Sequence, residues 1–120
     1  MPTVLVIDDD DADRVLYAQW LKKDNYKVIE ASDGDDGLKQ CLAASPACVV
    51  IDFLMSKKDG FQFMIELRKQ YQNETPILFI SGYESDQLIE DALVLGATQF
   101  ISKKEINADL LCASVRQSIV

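Results

Sequence analysis

Short apolar runs alternate along the chain with longer amphipathic stretches, the pattern of a strand followed by a helix, repeated. The runs lie at residues 3–7, 27–31, 47–52, 76–80 and 98–101 and predict five strands. Between them, residues 12–23, 34–44, 60–71, 86–95 and 107–119 repeat apolar side chains at helical spacing, as in Leu88, Ala92 and Leu95 or Leu111, Val115 and Ile119. Val49-Val50-Ile51 and Ile77-Leu78-Phe79-Ile80 are apolar at successive positions rather than alternately. That implies burial on both faces, hence a parallel sheet with helices on each side. Asn25 suits the left-handed position after the first helix and Gly96 the end of the fourth, while Pro46 and Pro76 precede strands. The expectation is one α/β domain over residues 1–120, a (βα)5 doubly wound fold.

Ligands in such open sheets gather beyond the carboxyl ends of the strands. Those ends carry Asp8-Asp9-Asp10-Asp11 after the first strand, Asp52 after the third, Ser81-Gly82 after the fourth and Ser102-Lys103-Lys104 after the fifth. Carboxylates held about 4 Å apart at an effective dielectric near 20 repel by roughly 4 kcal/mol. A fold that fixes several of them together therefore needs protons, a cation or wide separation. An aspartate after a strand is often only the cap of the next helix, and that helix accepts one or two further acids through its dipole. Four in a row leave at least one over.

Composition narrows the chemistry. The chain has 120 residues, 48% apolar, and a formal net charge of -8, which argues against sequence-independent binding to nucleic acid or anionic lipid. Proteins or cations are the expected partners. No histidine is present, so a phosphohistidine step would belong to another protein. Cys41, Cys48 and Cys112 are odd in number and form no Cys-x-x-Cys pair, which predicts buried free thiols in a reducing compartment. There is no charged-then-apolar leader and no apolar run near about 18 residues, so neither an ordinary signal peptide nor a membrane span is expected and the chain reads as cytoplasmic.

Carboxylates, a hydroxyl and an ammonium converging on an acidic pocket suit Mg2+, with Mn2+ as a substitute of similar donor preference. They suit phosphoryl transfer too, which relies on positioning and charge neutralisation, and Asp52 could serve as nucleophile. Singly, Asp52 and Ser81 also read as turn residues, Lys103 as a solvated charge and Phe100 as core.

Taken together, Val6-Ile-Asp-Asp-Asp10, Asp52-Phe-Leu-Met-Ser-Lys-Lys-Asp-Gly60, Ile80-Ser-Gly82, Gly96-Ala97, Phe100 and Lys103 resemble, in order and spacing, the response-regulator receiver domain of two-component signalling, over nearly the whole chain. The resemblance implies a flavodoxin-like sheet of strand order 2-1-3-4-5. It implies Asp52 as phosphoacceptor, Asp9 as a direct Mg2+ ligand, Asp8 as a ligand through water and the Leu54 carbonyl as a further oxygen. Ser81 with Gly82 and Lys103 would meet the phosphoryl group, and Phe100 would turn inward as Ser81 is drawn to it. Leu54 and Tyr83 would flank the attacking water and slow hydrolysis. The implied donor is a sensor histidine kinase, a histidine phosphotransfer protein or a small acyl phosphate. The implied output is a protein partner or a second copy on the face of the fourth helix, fifth strand and fifth helix, with no direct contact to nucleic acid or membrane.

Two departures stand out. Ser56 occupies a position where the family commonly has proline, which frees an N–H and a φ angle and predicts a looser loop, and Lys57-Lys58 after it would bias the site toward anions or bind a partner. Lys104 follows Lys103 where the family usually has a proline, often after a cis bond. A cis bond before a non-proline residue costs about 2.5–4 kcal/mol, so a trans link is expected. Two other functions remain open: a receiver-like docking module that is never phosphorylated, and a dehalogenase-type phosphatase built on Asp8-x-Asp10, which leaves Asp52 unexplained.

Overall fold

The computed structural model describes residues 2–55, 57–83 and 85–119. Strands β1 (Thr3–Ile7), β2 (Lys27–Ala31), β3 (Cys48–Asp52), β4 (Ile77–Ser81) and β5 (Gln99–Ser102) alternate with helices α1 (Asp11–Lys23), α2 (Gly34–Ala44), α3 (Gly60–Ile65), α4 (Asp86–Val94) and α5 (Ala108–Ile119). All neighbouring strands pair in parallel, in the order β2-β1-β3-β4-β5. The order reverses about β1, and the crevice between the carboxyl ends of β1 and β3 is the place such sheets reserve for ligands.

Alternate residues of each strand feed two cores. Leu5, Ile7, Val49, Ile51, Ile77 and Phe79 pack with Leu38 and Cys41 of α2, Phe63 and Met64 of α3, and Ala92 of α4. Val4, Val6, Val50, Leu78, Ile80 and Ile101 point the other way, onto Tyr17 and Leu21 of α1 and Leu111 and Val115 of α5. This is why the central strands read as continuous apolar runs rather than as alternation. Cys41, Cys48 and Cys112 are free and buried, as expected, and burial pushes the Cys48 thiol up to about 12. Among the described residues no helix is long and apolar enough to cross a membrane.

Polar residues set the helix ends. Asp10, Asp33 and Asp59 accept from the backbone N–H groups of Asp13, Asp36 and Gln62 and start α1, α2 and α3. Asn25 adopts φ 69° after α1 and Gly96 φ 114° after α4, the left-handed exits anticipated for both. Strands β3, β4 and β5 each begin one residue later than the apolar runs. Pro76 has no N–H to give the ladder, and its carbonyl accepts from Val49.

The third helical stretch departs from expectation. The α-helix ends at Ile65, and Glu66–Gln70 winds as a π-helix. The wider turn keeps Leu67 buried while Arg68 donates to the carbonyls of Asn73 and Thr75, each at 2.9 Å, and of Gly96 at 3.1 Å. The guanidinium thereby ties the loop before β4 to the turn before β5. Apolar spacing alone does not distinguish this winding from an α-helix.

A Cβ added at Gly37 would stand 2.5 Å from Cδ1 of Ile7, inside the first core. Gly37→Ala is therefore expected to lower the unfolding free energy by about 1–3 kcal/mol through overpacking. Combining it with Ile7→Val should recover part of that loss in urea denaturation.

Candidate functional site

The four consecutive aspartates have four different fates. Asp8 is 1% exposed, and its Oδ1 accepts from the Asp10 amide at 2.9 Å. Asp9 is exposed beside it. Asp10 is the cap of α1, and Asp11 pairs with Arg14 at 2.7 Å. Arg14 also donates to the Asp8 carbonyl at 2.9 Å, which pins the end of β1 to α1. The local order of caps and ion pairs thus turns Asp8 inward and leaves Asp9 at the rim.

Strand β3 brings the buried Asp52 alongside, so carboxylate oxygens of Asp8, Asp9 and Asp52 all lie within 4.8 Å of one another. Lys103, held by its own amide to the Ser81 carbonyl at 2.8 Å, reaches across from the end of β5. Its ammonium lies 3.1 Å from Asp52 Oδ2 and 3.5 Å from Asp8 Oδ2. It also donates to Asp13 Oδ2 at 2.8 Å. Burial and the neighbouring charge of Asp52 raise the Asp8 carboxyl to about 6 despite the Asp10 amide, and burial also raises Asp52 against the pull of Lys103. Burial disfavours the Lys103 ammonium, but the hydrogen bonds it donates to Asp13 and Asp52 outweigh that and raise its pKa.

The remaining predicted residues stand on the neighbouring strands and loops. Ser81 is fully buried, and its Oγ accepts from the Tyr83 amide at 3.0 Å, leaving its O–H to donate. A Cβ on Gly82 would meet only Lys103 Cδ at 4.0 Å, so the position is small without being sterically closed. The Leu54 amide donates to Asp52 Oδ1 at 3.2 Å. The side chains of Leu54 and Tyr83 are 53% and 57% exposed at the rim. Phe100 is half-buried and packs with Phe53 and Phe79, each ring centroid 6.4 Å away. Phe53 directly follows Asp52, so an aromatic cluster connects the acidic pocket to β5.

The two departures from the family pattern have different outcomes. Ser56, and with it the looser loop expected there, falls outside the described residues, while its neighbours Lys57 and Lys58 both face carboxylates. Lys58 pairs with Glu66 and, at 3.0 Å, with Asp35, while Lys57 lies 3.7 Å from Asp33. Both charges are directed to α2 and the π-helical turn. The trans expectation at Lys103-Lys104 holds, since the described residues contain no cis bond, and the lysine reaches Asp52 all the same. Asp13 was not singled out by sequence reasoning. Its signal is an acid one turn before Tyr17 and two before Leu21, on the inward stripe of α1, where an apolar residue is the norm.

Three clustered carboxylates suit a hard divalent cation. Asp8 Oδ2 is buried and has no hydrogen-bond partner among the described residues, and such an atom calls for a ligand or a proton. The donor set therefore fits Mg2+.

The raised Asp8 pKa has a definite sign. The folded protein keeps this proton up to about pH 6, whereas an unfolded aspartate releases it near pH 3.9. Metal-free stability contributed by this group is present at low pH and lost as pH rises through that window. Asp8→Asn is expected to exceed wild type by on the order of 2–3 kcal/mol at pH 7 and to match it below about pH 4, measured by urea denaturation in chelator.

Comparison with known proteins agrees with this geometry. The sequence profile of the response regulator receiver domain matches residues 4–116. The alkaline phosphatase synthesis transcriptional regulatory protein PhoP of Bacillus subtilis is 32% identical over 109 residues, 88% of this chain and 45% of that protein. The transcriptional regulatory protein AfsQ1 of Streptomyces coelicolor is 29% identical over 97% of this chain and 50% of its own length. The chain thus spans about half the length of these relatives. The receiver domain of the Francisella response regulator 1452 superposes with a TM-score of 0.93 at 26% identity, covering 99% of this chain and 97% of that one. The chemotaxis protein CheY4 of Vibrio cholerae superposes with a TM-score of 0.90 at 28% identity, covering 98% of each chain. The chain belongs to the response regulator receiver domains, a family that signals through phosphorylation of an aspartate.

Proposed function

We propose that residues 1–120 act as one receiver domain in which Asp52 is the phosphoacceptor. The observation that carries this reading is the joint placement of Asp52, Lys103 and the Asp8–Asp9 pair, with an ammonium 3.1 Å from the carboxylate that would react. A histidine kinase or histidine phosphotransfer protein would donate. The P–N bond of its phosphohistidine breaks, an O–P bond to the Asp52 carboxylate forms, and the imidazole keeps the electron pair.

Asp8, Asp9, Asp52 and the Leu54 carbonyl would hold Mg2+, which when bound neutralises the carboxylates and the incoming phosphoryl oxygens. The chain's own groups do the rest. The Leu54 amide and Lys103 orient Asp52 from its two oxygens. Ser81 donates its O–H to the phosphoryl group with Gly82 leaving room beside it, and Lys103 balances the added charge. Drawing Ser81 toward the phosphoryl group opens space for Phe100 to move further into the aromatic cluster. This biases the face of α4, β5 and α5, where Leu93 and Val94 are exposed, Val94 at 78%. A protein partner or a second copy would dock there. The net charge of -8 supports contact with protein rather than nucleic acid, in the cytoplasm where free thiols persist.

The competing readings have less support. A phosphatase using Asp8-x-Asp10 needs the Asp10 carboxylate, and that group caps α1. A docking module without phosphorylation gains nothing from Lys103, which reaches Asp52 despite the missing proline.

Intact mass after exposure to an acyl phosphate with Mg2+ tests the assignment. Wild type should gain one phosphoryl group and Asp52→Asn none, whereas equal labelling of both, or labelling of neither, would remove Asp52 from the role. Leu54 and Tyr83 are both bulky, and Leu54 has no side-chain group that orients water, so the phosphoprotein should decay slowly. Leu54→Asn should shorten its lifetime severalfold, read as loss of the added mass with time.

A further inference from the structure

Lys103 makes its shortest carboxylate contact with a residue outside the Asp8–Asp9–Asp52 cluster. Its ammonium is 2.8 Å from Asp13, against 3.1 Å from Asp52 and 3.5 Å from Asp8. Two of its N–H groups are engaged, by Asp13 and Asp52. The Asp8 contact is an ion pair without a hydrogen bond.

Asp13 is well placed to act as a fixed post. Its amide is tied to the carboxylate of Asp10, which locks the first turn of α1, and it stands one turn from Tyr17 on the face that packs against the second core. Lys103 is less constrained, being a long flexible side chain on a loop, and Lys104 rather than a proline ring follows it. An ion pair 90 residues apart in sequence is thus what aims the lysine across the pocket. Asp13 is 34% exposed and Asp52 8%. The Asp13 partner is the better hydrated of the two and the easier to give up, because water can take over its lost hydrogen bond.

We propose that Asp13 is a positioning residue for Lys103: it holds the ammonium at the α1 side of the pocket while Asp52 is unmodified and yields it once Asp52 carries a phosphoryl group. Attraction scales with charge at equal distance, and a phosphoryl group presents more negative charge than a carboxylate. The release step rests on the phosphoacceptor reading above. The tether stands on geometry alone. Its consequence is that modification at β3 leaves an unpaired carboxylate on α1.

The test is 15N-edited NMR of the Lys103 ammonium in the full chain, without metal and then with Mg2+ and beryllofluoride as the acyl phosphate mimic. Lys103→Met assigns the signal. Without metal, Asp13→Asn should speed proton exchange of the ammonium by about tenfold, as expected for loss of a charge-assisted hydrogen bond. Asp13→Glu should restore most of the protection. Exchange in Asp13→Asn within about twofold of wild type would overturn the tether, since a hydrogen bond of that kind cannot be lost so quietly. With the mimic bound, the wild-type and Asp13→Asn signals should converge; signals that stay apart, or a wild type that takes up no mimic, would overturn the release. A protein that never accepts a phosphoryl group on Asp52 sinks the functional reading, while the metal-free exchange still decides the tether.

Discussion

Repulsion among carboxylates that the sheet forces together is the constraint on which the site depends. The parallel order β2-β1-β3-β4-β5 sets the ends of β1 and β3 side by side, so Asp8 and Asp52 share one buried crevice whatever their preference. Lys103 is the single cation that reaches both among the described side chains. One ammonium cannot neutralise Asp8, Asp9, Asp13 and Asp52; burial first, and neighbouring carboxylates after it, raise the Asp8 and Asp52 carboxyls, and a buried Asp8 oxygen is left without a hydrogen bond among the described residues. The resting pocket is therefore short of positive charge, a state that a divalent ion relieves.

The rest of the molecule makes this arrangement tolerable. Strands buried on both faces supply two apolar cores, and that burial offsets the unfavourable electrostatics at one end of the sheet. Several polar residues that do not face the pocket serve structure instead. Asp10 caps α1, Asp11 and Arg14 join α1 to β1, and Lys58 bridges α2 to the π-helical turn. The aspartate run thus divides evenly, Asp8 and Asp9 lying at the pocket and Asp10 and Asp11 holding α1, according to the direction each backbone position faces.

The fold was legible because burial on both faces leaves a clear mark, continuous apolar runs such as Val49-Val50-Ile51, and because the turns carry Asn25 and Gly96 at left-handed positions. The acidic pocket followed from the rule that strand ends hold ligands, and Asp8, Asp9, Asp52 and Lys103 do come together there. What sequence could not convey depends on side-chain direction. The partners of Lys57 and Lys58 lie at the start of α2 and on the turn after α3. Glu66–Gln70 has helical apolar spacing but π winding, stabilised by carbonyls that Arg68 finds only in the folded chain. Asp13 was overlooked because an acid in the first turn of a helix has an adequate explanation in the helix dipole, and only the fold shows it turned toward Lys103.

Isothermal calorimetry of Mg2+ binding at pH 7 tests the charge-deficit description most directly. One saturable site per chain is expected in wild type, with affinity falling at least about tenfold in each of Asp9→Asn and Asp52→Asn as one anionic ligand is lost. Wild-type binding that does not saturate, or affinity unchanged by both substitutions, would show that these carboxylates do not act together on a cation.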